Sequence, residues 1–191
     1  MLELQKKLAV FKGTYAKISD MPDDGKEICF LGRSNSGKSS LVSALFQNPS
    51  IVKRSSRPGS TQAINLYEYG HLHLADLPGY GYAKVSHSVK EQMSRMINHY
   101  VSERKNLAAA FLLLDCKRIV QEEEKYIRDL FFERRVPVQL VLTKTDRLNR
   151  KETEQMKKKF AEYDKFFHNI IYTSAKKNRG IDFILNFINT L

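Results

Sequence analysis

The sequence predicts a three-layer α/β fold: a mostly parallel six-stranded sheet with one antiparallel edge strand and helices on both faces. Three patterns carry this expectation. The candidate strands, such as 108–114 and 138–142, are continuous apolar runs and do not alternate, which marks strands of a parallel sheet covered on both faces. Those runs take turns along the chain with segments of helical periodicity. Two apolar runs flanking Gly70 read as a hairpin, which supplies the antiparallel edge.

The elements follow in chain order. Residues 1–25 hold four basic and four acidic groups and end in the turn-rich Met21-Pro22-Asp23-Asp24-Gly25. They read as an N-terminal extension of a single domain, 1–191, whose core is 26–191. Residues 28–31 form a short buried strand that opens into a glycine-flanked loop, and 39–47 a helix stopped near Pro49. Residues 63–69 and 71–77 are the hairpin. His71 and His73 stand two apart on its second strand with no third ligand nearby, so they read as surface histidines and not as a metal pair. Ser88-x-x-Glu91 is a capping box. Val89, Met93, Met96, Ile97, Tyr100 and Val101 follow it as the core stripe of a helix. The run 108–114 is a strand ending in Asp115. Residues 121–134 form a helix with acids first and arginines last, as the helix dipole favours. A strand at 138–142, a charged helix at 149–163 and a strand at 170–173 come next. Ile181, Ile184, Phe187, Ile188 and Leu191 line one face of a terminal helix.

Composition narrows the function classes. A chain of 191 residues, 42% hydrophobic and 28% charged, is one domain with a real core, which excludes collagen, a disordered tail and a disulfide scaffold. Cys29 and Cys116, each in an apolar run, read as reduced core residues. The first 15 residues show no secretory h-region, and the apolar stretch 107–114 is too short to span a bilayer. A cytoplasmic protein without membrane insertion is therefore expected. The net charge of +11 suggests a polyanionic partner. Residues 26–60 carry six basic groups against one acid, and 137–191 eleven against six. Any single cluster, such as Lys157-Lys158-Lys159, reads as a solvated face; the total excess is harder to explain that way.

The chemistry stands at the strand ends. Gly32-Arg33-Ser34-Asn35-Ser36-Gly37-Lys38-Ser39, followed by Ser40, matches G-x-x-x-x-G-K-[ST] between a strand and a helix. Backbone N–H groups of such a loop cradle phosphates at a helix N-terminus. Lys38 reaches the β and γ phosphates, and the Ser39 hydroxyl ligates magnesium. Asp76-Leu77-Pro78-Gly79 ends the next buried strand; Asp76 can hold magnesium through water, and the Gly79 N–H can sense a γ-phosphate. Thr143-Lys144-Thr145-Asp146 follows the 138–142 strand. Asp146 can accept from both N1–H and the 2-amino group of guanine, which selects guanine over adenine, and Lys144 can lay its stem on the base. Ser174-Ala175-Lys176 follows the last strand, where the Ala175 N–H can donate to guanine O6.

In this order the motifs resemble those of translation-factor-type P-loop GTPases. The runs Gly32-Arg33-Ser34-Asn35-x-Gly37-Lys38-Ser39-Ser40-Leu41 and Asp76-Leu77-Pro78-Gly79-Tyr80-Gly81-Tyr82-Ala83 are similar to those of the EngB family of bacterial GTPases, over essentially the whole chain. The resemblance implies the G-domain fold and GTP and GDP as ligands. It also implies a role in assembling the large ribosomal subunit or its precursor through ribosomal RNA, with a tie to cell division. It places switch I at Arg57-Pro58-Gly59-Ser60-Thr61-Gln62, with Thr61 closing on magnesium and Ser60 as the alternative. Lys53, Arg54 and Arg57 make that loop basic, for RNA contact or for solvent.

Phosphoryl transfer to water rests on positioning and charge neutralisation. Lys38, Thr61 and Gly79 are the expected catalytic groups. The position after Gly79, where related enzymes orient water with glutamine, is Tyr80, so slow intrinsic turnover is expected. Relatives with a hydrophobic residue there use a potassium ion held partly by a P-loop asparagine. Asn35 matches that position and has a second reading as a turn-former bonded within its own loop. Tyr80 and Tyr82 either stack on RNA bases or pack locally. A monomer switching between GTP and GDP states is the expected behaviour. The competing readings are a regulatory GTPase with a protein or membrane-surface target, and a nucleotide-binding RNA module with incidental hydrolysis.

Overall fold

The apolar runs become the interior of a seven-stranded sheet. A computed structural model describes residues 9–46, 63–81 and 87–191. Its strands are β1 (Ala9–Tyr15), β2 (Lys26–Gly32), β3 (Ile64–Tyr69), β4 (Leu72–Asp76), β5 (Leu107–Asp115), β6 (Val138–Thr143) and β7 (Asn169–Tyr172). Its helices are α1 (Lys38–Phe46), α2 (His87–Glu103), α3 (Glu122–Glu133), α4 (Arg150–Ala161) and α5 (Ile181–Asn189). The strand order is β1-β3-β4-β2-β5-β6-β7. β4, β2, β5, β6 and β7 run parallel, while β3 is antiparallel to both β1 and β4.

β2 and β5 lie at the centre, and from Ala109 to Leu114 β5 is fully buried, which is why its sequence is continuously apolar. Each face of the sheet has its own core. On one, Met93, Ile97, Tyr100 and Val101 of α2 pack with Ile127 and Phe131 of α3 and Met156 and Phe160 of α4. On the other, Leu41, Val42, Leu45 and Phe46 of α1 pack with Ile181, Ile184 and Ile188 of α5. There Phe30 stacks on Phe111 at 5.0 Å between ring centroids.

Three expectations are revised. The sheet has seven strands, because Ala9–Tyr15 pairs with β3; the antiparallel β3 is thus interior and β1 is the edge. β1 is apolar only over Ala9-Val10-Phe11; beyond that its residues alternate between exposed and half-buried, and its register shifts between Phe11 and Gly13. Of the pair, His73 is buried and His71 exposed; the register neighbours of His73 are Glu27 and Glu68, and Asp24 Oδ1 lies 4.0 Å from its Nε2. α2 takes in His87, so Ser88 lies inside its first turn and does not precede it.

At the amino ends of the strands the sheet buries an ion pair. Glu27, fully buried, accepts from Arg104 at 2.6 and 3.0 Å and from the Tyr100 hydroxyl at 2.5 Å. Arg104 also donates to the Pro22 carbonyl at 2.6 Å. Stranding one charge of such a pair costs about 3–5 kcal/mol. The pair therefore staples the end of α2 to β2 and to the segment leading into it, on the side of the sheet away from the sequence motifs.

Candidate functional site

The motifs meet across the carboxyl ends of the strands, where ligands of open α/β sheets bind. β2 ends at Gly32, the chain turns through residues 33–37, and α1 begins at Lys38. A Cβ at Gly32 would lie 2.7 Å from both the Leu113 carbonyl oxygen and Ser36 Oγ, so no other residue fits without displacing β5. Asn35 takes the left-handed conformation at φ 64, which Asn tolerates better than most residues. Its carboxamide makes no hydrogen bond among the described residues, so it does not bond within its own loop. Its carbonyl accepts from Lys144 Nζ at 2.6 Å.

The segment after β4 lies along this loop. The Ser34 N–H donates to the Tyr80 carbonyl at 2.7 Å, and the Tyr80 N–H donates to the Gly32 carbonyl at 3.1 Å. A Cβ at Gly79 would sit 3.3 Å from the Ser34 backbone, so glycine allows the close approach. Asp76 is register-paired with Phe30 and forms an ion pair with Lys38.

The other half of the site comes from β6 and β7. Thr143 Oγ1 donates to the Ser36 carbonyl, fastening the end of β6 to the P-loop. Lys144 and Arg147 each lie 3.0 Å from Asp115 Oδ2. Ser174 Oγ donates to Asp146 Oδ1 at 2.5 Å and accepts from the Lys177 N–H at 3.1 Å. The Ser174 bond holds the Asp146 carboxyl below its ordinary value. At Asp115 burial acts upward. The Lys117 N–H, Lys144 and Arg147 outweigh it and leave the carboxyl below the ordinary 3.8.

Two cavities result. One of about 380 Å³ is lined by Arg33, Ser34, Asn35, Ser36, Gly37, Lys38, Ser39, Ser40, Gly79 and Lys144. The other, about 670 Å³, includes Thr143, Lys144, Asp146, Ala175 and Lys176 in its lining. Gly37, Ser40 and Lys144 belong to both, so they are halves of one cleft. Ser174 is fully buried behind Asp146. Thr61, Ser60, Lys53, Arg54, Arg57 and Tyr82 lie outside the described residues. Tyr80 is buried, its hydroxyl donating to Glu124 at 3.0 Å, so it packs locally. Two residues at the site carried no role in the sequence reading. Asp115 stands at the carboxyl end of a strand, and that position was its signal. Glu124 is one of three consecutive glutamates, and nothing in the pattern marks it as the buried one.

A family profile described as "50S ribosome-binding GTPase" matches residues 27–144. The chain is 39% identical over 186 residues to the probable GTP-binding protein EngB of Roseobacter denitrificans, covering 94% of this chain and 86% of that protein. It is 47% identical over 132 residues to the probable GTP-binding protein EngB of Desulforapulum autotrophicum, covering 69% and 67%. Among solved structures, a crystal structure of a probable GTP-binding protein EngB aligns at a TM-score of 0.69 and 27% identity, covering 86% of this chain and 97% of that one. Translation elongation factor SelB of Methanococcus maripaludis, bound to a GTP analogue, aligns at 0.61 and 17% identity, covering 89% and 34%; it shares the fold alone.

The depressed Asp115 carboxyl has a consequence for stability. Its folded value lies below its unfolded one, so its contribution is fully present above the ordinary 3.8 and is lost as pH falls through the folded value. Urea unfolding followed from pH 6 to pH 3 should show Asp115→Asn losing less stability over that range than the parent chain. Parallel curves for the two proteins would contradict this role.

Proposed function

The chain belongs to the EngB family of P-loop GTPases, and from that premise we propose that it is a slow, magnesium-dependent GTP switch acting on the large ribosomal subunit or its precursor, as a cytoplasmic monomer. The observation that carries the nucleotide reading is the continuity of the cleft: Lys144 lines both the cavity of the P-loop and the cavity of Asp146. A phosphate chain at one end and a base at the other fit that shape. In this reading Gly32 through Ser40 hold the phosphates. Thr143, Lys144 and Asp146, with Ser174, Ala175 and Lys176, hold guanine.

Ser39 and Asp76 offer hard oxygen donors near the P-loop, and the ion pair with Lys38 shows that Asp76 already holds a cation there. This donor set fits magnesium, with Thr61 completing it. Bound there, magnesium would neutralise charge on the β and γ phosphates. Lys38 supplies a second positive charge, and in this reading the N–H of Gly79, which lines the same cavity, would donate to the terminal phosphate. The Tyr80 side chain turns into the core toward Glu124, so that position offers no group to orient a water, which supports slow turnover. No described helix is long and apolar enough to cross a membrane. The net charge of +11 and the description of the matching family favour a ribosomal RNA partner.

The Asn35 carboxamide, free of hydrogen bonds among the described residues, borders the P-loop cavity and supports the potassium role. Hydrolysis should then be faster in potassium than in sodium, and Asn35→Ala should abolish the difference; a variant still stimulated by potassium would refute the role. The base selectivity has its own check. ATP should compete with labelled GDP at least about a hundredfold more weakly than GTP. Asp146→Asn should lose guanine affinity by a similar factor and gain relative preference for xanthosine triphosphate, whose 2-oxo group the new amide can face. Equal competition by ATP would sink the reading of Asp146. The ribosomal role is tested by sedimentation with purified subunits at physiological potassium. Co-migration with the large subunit in a non-hydrolysable GTP analogue, and not in GDP, is expected. Equal binding in both states would indicate a passive RNA module, and nucleotide-dependent binding that survives ribonuclease would indicate a protein target.

A further inference from the structure

A buried polar cluster lies behind the P-loop, between α2 and α3, and the nucleotide reading gives its central residue no role of its own. Its centre is Glu124, fully buried in the first turn of α3. One carboxylate oxygen, Oε1, accepts from the Tyr80 hydroxyl at 3.0 Å and lies 3.7 Å from Arg33 Nη1. The other, Oε2, accepts from the Gln121 N–H at 2.8 Å, so Glu124 is itself fixed by the start of its helix. Arg33 Nη1 also donates to Gln121 Oε1 at 2.7 Å and to Glu123 Oε2 at 3.2 Å. α3 thus grips two residues at once, one in the P-loop and one immediately after Gly79.

Those same two residues form the backbone bridge between the loops, through Ser34 N–H to Tyr80 O and Tyr80 N–H to Gly32 O. The backbone of Gly79 is therefore held against Ser34 by hydrogen bonds on one side and by the buried cluster on the other. We propose that Glu124 and Tyr80 are positioning residues that hold the Gly79 N–H at the terminal-phosphate end of the cleft, and so set the preference for a nucleoside triphosphate over a diphosphate. A fixed donor gives up no freedom when the γ-phosphate arrives; a loose one must be ordered first. In this reading a diphosphate, lacking the terminal phosphate, would make no bond to Gly79. Burial first, and the Glu124 charge next, push the Tyr80 phenol well up, so it remains a donor throughout the neutral range.

This inference rests on the guanine-nucleotide reading, and the parent chain controls for it: a parent that binds neither GDP nor the analogue removes that reading itself. The test is Tyr80→Phe, which deletes one hydroxyl and keeps the ring. Affinities for GDP and for a non-hydrolysable GTP analogue are measured by calorimetry beside thermal unfolding. The analogue should weaken about tenfold while GDP stays within about twofold. Glu124→Gln keeps the shape and an acceptor for Tyr80 but removes the charge; it should move the same ratio in the same direction and covers the case in which Tyr80→Phe does not fold. A purely structural role lowers both affinities together with the melting temperature. That outcome, or an unchanged ratio in the variants that fold, overturns the proposal.

Discussion

The rest of the cleft is positioned against the backbone of residues 32–37, which hydrogen bonds grip on both sides. From one side the Tyr80 backbone brackets the loop at Gly32 and Ser34; from the other Thr143 reaches the Ser36 carbonyl and Lys144 the Asn35 carbonyl. Within the loop the Ser36 N–H donates to the Arg33 carbonyl at 2.9 Å, and the other bonds that hold its backbone come from neighbours. Here the neighbours are the ends of other strands of the sheet and the segments that follow them.

The same arrangement explains how the two halves of the cleft stay aligned. Asp115 ends the strand between β2 and β6 and anchors both Lys144 and Arg147. Thr145 donates to the Thr173 carbonyl through both its N–H and its hydroxyl, at 3.1 and 3.0 Å, which ties the loop after β6 to the loop after β7. Ser174 then holds Asp146. Each strand end thus fastens the loop of the next, and the far end of the cleft is set by a chain of short contacts running across the sheet. At the opposite end of the strands, the Glu27–Arg104 pair fixes α2 to the sheet.

Legibility tracked the range of the interactions. The P-loop, Asp76 and the motifs after β6 and β7 were readable because each is a local run of neighbours in sequence. The central strands were readable because burial on both faces leaves a continuous apolar run. β1 was not, because an edge strand broken by a bulge keeps only the short apolar stretch Ala9-Val10-Phe11 before polar residues interrupt it. The burial of His73 was missed because its surroundings, among them Asp24, Glu27 and Glu68, come from elsewhere in the chain, and nothing within β4 announces them.

By itself the sequence determined the parallel α/β architecture and the residues around the cleft, since periodicity and short motifs are properties of neighbouring residues. Only the tertiary structure decided which polar groups meet across the chain. Arg33 and Tyr80 lie 47 positions apart and each about 40 or more from Glu124, and no periodicity links them. The fold brings them together because parallel strands deliver their carboxyl ends to one edge of the sheet, where distant loops must share the same small space.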